Sequence, residues 1–97
     1  MITTKERALL ISIAGKLEAN MQIGKDGVSD ESINQIEKML DKNEIAKIRI
    51  LNNSSLDAKS TADVLAEKTS AEVVKIIGHV VILYRKSKNP KAKHIQF

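Results

Sequence analysis

The four residues Gly24-Lys25-Asp26-Gly27 are the part of this sequence best suited to chemistry. Glycines three apart let the main chain turn sharply and let a ligand come close to the backbone. The segment follows Asn20-Met21-Gln22-Ile23, a short extended stretch, and leads into Ser29-Asp30-Glu31, which reads as a helix start. N–H groups at a helix start can face an anion, and the helix dipole favours negative charge there. Lys25 adds a mobile cation. These residue types in this order suit a phosphate, and by extension a nucleic-acid backbone. An ordinary tight turn is the competing reading, and Asp26 fits a phosphate cradle only if its carboxylate turns aside. No Gly-Lys-Ser/Thr follows at Walker spacing and the third glycine of a dinucleotide fingerprint is missing. No ATP, NAD or other cofactor is expected.

Cations outside the loop extend the same theme. Lys47 and Arg49 alternate onto one face of a strand at 44–51, and Lys75 sits on another strand. Tyr84-Arg85-Lys86 closes the last strand, with Lys88 just beyond. Tyr84 could stack on a base and Arg85 could pair bidentately with phosphate. The alternatives are a solvated sheet face for the lysines and a half-buried strand aromatic for Tyr84. With one Tyr, one Phe and no Trp, the chain lacks the two or three stacking aromatics of a sheet that reads single-stranded RNA. Contacts should therefore favour the backbone. His79 and His94 have no Cys and no second His at ligand spacing, so no metal site is expected. No Ser-His-acid or paired-carboxylate set can be assembled, so the protein reads as a non-enzyme.

The elements that must position these residues follow from length and pattern. Ninety-seven residues, 42% apolar, make one globular domain with an aliphatic core. Leu10, Ile13, Ala14 and Leu17 form one stripe of a helix at 4–18. Ile33, Ile36, Met39 and Leu40 form that of a helix from Ser29 to Asn43, with Asn43 as its left-handed end. A third helix covers 56–69, with its cap in the loop Asn52-Asn53-Ser54-Ser55. Strands at 72–77 and 80–85 flank Gly78-His79, a two-residue hairpin turn. The order is α-β-α-β-α-β-β, a two-layer α/β domain with a mixed four-stranded sheet. Residues 1–87 form the domain, and 88–97 a basic, flexible tail.

Charge is unevenly spread. Residues 1–84 carry 11 Lys/Arg and 12 Asp/Glu, whereas 85–97 carry five cations and no acid. A cationic end on a balanced body points to an anionic partner, nucleic acid first, or else to a merely solubilising end. Zero Cys is compatible with a cytoplasmic location. The apolar run after Lys5 and Arg7 is too short for a signal peptide or membrane span, so the N-terminus reads as mature sequence and no membrane partner is expected.

Three stretches together resemble a known family. They are Ile23 to Ser29, Asn34-Gln35-Ile36-Glu37 through Glu44-Ile45-Ala46-Lys47-Ile48, and Ile77 to Arg85. The pattern is similar to the CRM domain, for chloroplast RNA splicing and ribosome maturation, in its stand-alone bacterial YhbY form, over about residues 3–87. The resemblance implies an RNA-binding domain with a fold similar to the C-terminal domain of initiation factor three plus an N-terminal helix. It implies association with precursor RNA of the large ribosomal subunit. It also implies a functional loop at Gly24 to Gly27 and a closing basic motif at Tyr84 and Arg85. The family's loop is likened to that of KH domains, which joins two helices; here it joins a strand to a helix, so only local mechanics transfer.

The leading expectation is an RNA-binding ribosome assembly factor using Gly24, Lys25, Asp26, Gly27, Lys47, Arg49, Tyr84, Arg85, Lys86 and Lys88. A protein-docking module of a ribosomal or RNA-processing complex, with ribosomal proteins as partners, is the alternative. A small anion-metabolite binder or enzyme is the third.

Overall fold

A computed structural model describes residues 2–19, 21–24, 27–51 and 57–96. Helix α1 (Thr4–Gly15) starts at a reciprocal cap. The Thr3 hydroxyl accepts from the Glu6 N–H at 3.1 Å, and the Glu6 carboxylate accepts from the Thr3 N–H at 2.9 Å. This satisfies donors that a helix start otherwise leaves open. Strand β1 (Met21–Ile23) follows, then α2 (Asp30–Asn43), capped by the Ser29 hydroxyl on the Ser32 N–H. After β2 (Ile45–Ile50) comes α3 (Ala58–Thr69). The expected cap at 52–55 lies outside the described residues; Asp57 caps α3, its carboxylate accepting from the Ser60 N–H at 2.7 Å. Strands β3 (Glu72–Ile77) and β4 (Val80–Tyr84) close a hairpin on Gly78-His79. Gly78 takes φ 57°, which a residue without Cβ adopts at little cost.

The element order and the mixed four-stranded sheet are as expected. Strand order is β1-β2-β4-β3, with β1 parallel to β2 and the other pairs antiparallel. One face carries the main core: Ile36 and Leu40 of α2 and Ala62 and Leu65 of α3 pack on Ile23, Ala46, Ile48, Ile50, Val81 and Leu83. The helices do not all share that face. Leu10 and Ala14 of α1 lie on the opposite face against Ile45, Val74 and Ile82, adding a partial third layer to the two-layer core. At the β3 bulge between Val73 and Lys75, the Arg7 guanidinium donates to the carbonyls of Val73 and Val74.

One local expectation changes: the left-handed residue ending α2 is Glu44 (φ 66°), not Asn43. The basic segment from 88 makes hydrogen bonds to the domain. Lys93 N–H donates to the Lys42 carbonyl at 2.8 Å, and Ser87 Oγ donates to the Asp41 carbonyl at 2.6 Å. The Ser87 and Ile95 N–H groups both donate to the buried Glu44 carboxylate at 2.7 Å, and His94 Nδ1 lies 3.0 Å from it. The tail through Ile95 is thus tied to the C-terminus of α2. Among the described residues, no helix is long and apolar enough to cross a membrane.

Candidate nucleic-acid interface

The parallel pairing of β1 with β2 places the glycine bend. Gln22 lies beside Arg49 and Ile23 beside Ile50, and the Leu51 N–H donates to the Ile23 carbonyl at 2.9 Å. Gly24 therefore leaves the sheet next to Leu51, two residues past the Gln22–Arg49 pair. The bend closes on itself, with the Gly27 N–H donating to the Gly24 carbonyl at 3.0 Å. That amide is consumed by the turn and is not offered to an anion. Lys25 and Asp26 lie outside the described residues.

The two glycines have different jobs. Gly27 takes φ 71°, where an L side chain costs roughly 1–2 kcal/mol. A Cβ at Gly24 would meet only Leu51 Cδ1, at an ordinary 3.5 Å. Gly27→Ala is expected to lose about 1 kcal/mol of unfolding free energy in a denaturant titration, and Gly24→Ala less than half that. Equal losses would contradict the assigned backbone geometry.

Strand alternation decides which cations join the bend. Lys47, Arg49 and Lys75 point to the face that α1 shares, as do Ile77, Val80 and Ile82. Helix α1 covers only part of it. Ile82 is buried, while Gln22, Arg49, Lys75 and Ile77 are exposed and Val80 is half-buried. This uncovered strip runs across the sheet at the end where the bend lies. The Gly78-His79 turn borders it, the His79 carbonyl accepting from the Ile50 N–H at 2.7 Å. Among the described residues, nothing hydrogen-bonds or ion-pairs with the Arg49 side chain. Lys47 is different: its ammonium donates to the Ala14 and Leu17 carbonyls at 2.9 and 2.8 Å, closing the C-terminus of α1. That is a structural use of the charge, favoured by the helix dipole.

The remaining expected residues lie at the other end of the sheet. Tyr84, Arg85, Lys86 and Lys88 follow the length of β4 away from the bend, roughly 13 Å at 3.3 Å per residue. Arg85 is committed internally. Its guanidinium donates to Glu37 Oε2 at 3.0 Å, Asp41 Oδ1 at 2.7 Å and the Thr69 carbonyl at 2.5 Å. The expectation that it faces phosphate is corrected on this point: its fork is filled by carboxylates and a helix-end carbonyl. Tyr84 is half-buried among the residues under α1. Burial, with the negative charge of Glu44, Glu6 and Glu72, raises its phenol above the usual range. Those acids oppose a phosphate there. Lys86 and Lys88 are exposed beside this compensated end. The ten expected residues thus do not form one contiguous site. Pattern alone also missed Leu51 as a neighbour of the bend and His79 as a neighbour of the end of β2. The two-residue turn was the available signal, since it sets the register Ile77↔Val80 and brings His79 to the end of β2.

A family model for the CRS1/YhbY (CRM) domain matches residues 2–85. This chain belongs to that family. It is 35% identical over 91 residues to "Probable RNA-binding protein YqeI" of Bacillus subtilis, covering 94% of this chain and 95% of that protein. It is 31% identical over 86 residues to "Probable RNA-binding protein MJ0652" of Methanocaldococcus jannaschii, covering 87% and 63% respectively. The solution structure of SAV1595 from Staphylococcus aureus is similar at a TM-score of 0.78, with 37% identity over 94% of this chain and 95% of that one. The CRM match takes in the glycine bend, the uncovered strip and the Arg85 clamp, and stops before the docked tail.

Proposed function

We propose that this CRM domain binds RNA without catalysing a reaction, chiefly through the sugar-phosphate backbone. The site is the Gly24–Gly27 bend together with Arg49, Lys75 and Gln22 on the uncovered strip, and Lys25 between the glycines. The supporting observation is the placement of a two-glycine bend just past the Gln22–Arg49 pair, on a sheet face that α1 leaves open and where the Arg49 side chain has no partner among the described residues. The family and the names of its relatives point the same way. Lys86, Lys88 and the lysines of the docked segment add long-range attraction, which salt screens. The expected partner is precursor RNA of the large ribosomal subunit, in the cytoplasm, with the protein acting as an assembly factor.

Gly24→Asp is expected to weaken RNA binding about tenfold or more, because it puts a negative charge where phosphate should sit. The fold should persist, since a Cβ is accommodated there. With about three phosphates neutralised, the logarithm of the wild-type binding constant should fall by roughly 2 per tenfold rise in salt, at about 0.7 for each phosphate of a single strand. Unchanged affinity in the variant would remove the bend from the site. Crosslinking in cells followed by sequencing should enrich large-subunit precursor RNA. Binding to a ribosomal protein, with none to protein-free ribosomal RNA, would overturn the proposal in favour of a docking module.

A further inference from the structure

The uncovered strip ends in a cleft of about 370 Å³ lined by Arg49, Ile50, Leu51, His79 and Val80. Its size falls in the range of small-ligand sites, roughly 300–1,000 Å³. Leu51 and Val80 make it apolar, and Arg49 and the turn residue His79 make it cationic and capable of stacking. Val80 is the direct cross-strand partner of Arg49. Leu51 is shared with the glycine bend, as its methyl group lies 3.5 Å from the position of a Cβ at Gly24.

We infer that this cleft takes one unstacked guanine base of the RNA whose backbone lies on the glycine bend. The inference rests on the RNA-binding reading and adds a base preference to it. Four features carry it. Leu51 and Val80 in the cleft wall offer apolar surface to a planar body. The exposed guanidinium of Arg49 presents two parallel N–H donors, which match the N7 and O6 acceptors of guanine. The His79 side chain, exposed on the tight turn, offers a ring for stacking. The cleft adjoins the bend, so one nucleotide can place its phosphate on the bend while its base, or the next, enters the cleft. No second aromatic platform is needed, which agrees with a chain of so few aromatic residues.

The test uses the full-length protein and short single-stranded RNAs of equal length. One is all uridine, one carries a single central guanosine, and one carries 7-deazaguanosine at that position. Wild type should bind the guanosine RNA about tenfold more tightly than the all-uridine RNA, within the range of a bidentate arginine–guanine pair. The deaza base should lose most of that preference. Arg49→Lys keeps the charge and removes the fork, so the variant should bind the guanosine, 7-deazaguanosine and all-uridine RNAs with equal affinity. Salt-dependent binding of all three RNAs with equal affinity would overturn the base cleft and leave backbone binding intact. Guanine preference that survives Arg49→Lys would overturn it too. No binding of any RNA by wild type would overturn both proposals.

Discussion

Arg85→Ala will lower the unfolding free energy by about 2–3 kcal/mol and leave RNA affinity within about twofold of wild type. Arg85 leaves the end of β4 with its backbone N–H on the Glu44 carbonyl at 3.0 Å. Its guanidinium then bridges Glu37 and Asp41 of α2 and the final carbonyl of α3. One side chain thus ties the sheet to both helices of the main core. The contributions are unequal. Asp41 is largely exposed, and its pair with Arg85 is worth less than about 1 kcal/mol. Glu37 is better shielded, and the Thr69 carbonyl is one of the acceptors that a helix end leaves open. Charge-assisted hydrogen bonds of that kind are worth roughly 1.5–3 kcal/mol. For a domain of this size the loss corresponds to a fall in Tm of about 10–20 °C. Arg85→Lys should recover only part of it, because an ammonium cannot span the same acceptors in one plane. Thermal unfolding and RNA titration at a temperature where the variant is folded provide the two readings. Wild-type stability with lost RNA affinity would return Arg85 to the RNA site.

The contrast between Arg85 and Arg49 also marks how far sequence carries the structure. Both read as strand cations available to phosphate. Pattern cannot show that the partners of Arg85 lie 48 and 44 residues earlier in the chain, nor that the uncovered strip leaves Arg49 open. Local rules did well wherever a single element contains its own explanation. The stripe of α2, the Ser29 cap and the Gly78-His79 hairpin each need only neighbours in sequence. The side taken by α1 was harder, because an amphipathic helix does not state which sheet face it will cover. A clue was present in β4. Val80-Val81-Ile82-Leu83 is apolar at every position, as in strands covered on both faces. Lys47 illustrates the same limit: alternation put it on one face with Arg49, but its role depends on where the carbonyls at the end of α1 arrive. The bend itself was legible as a turn between a strand and a helix. Its placement beside Arg49 required the parallel register of β1 and β2, which no short motif encodes.

Glu44→Gln will cost about 2–3 kcal/mol at neutral pH, and that cost will shrink as the solution is acidified. Glu44 is a buried carboxylate on a left-handed residue, an arrangement that a side chain with a Cβ and a charge normally avoids. What holds it is the tail. Burial by itself raises the carboxyl pKa, but the N–H groups of Ser87 and Ile95, with His94, more than offset this, and the group ends below its ordinary value of 4.5. The linkage then has a definite sign. A carboxylate with a depressed folded-state pKa stabilises the fold fully above its unfolded-state value, and the contribution disappears as pH falls through the folded-state value. Glutamine keeps the size of the side chain, but it loses the charge and points an amide donor at donors. Wild type and variant should therefore differ most at pH 7, still differ at pH 5, and converge toward pH 3 and below. Glu72 and Asp57 also have lowered pKa values, but they are common to both proteins and cancel in the difference. Hydrogen exchange supplies a local readout, since the Ser87 and Ile95 amides should lose protection in the variant while those of β2 and β4 retain more of theirs. A gap that stays constant from pH 7 to pH 3, or tail amides equally protected in both proteins, would show that Glu44 is not what fastens the basic tail to the domain.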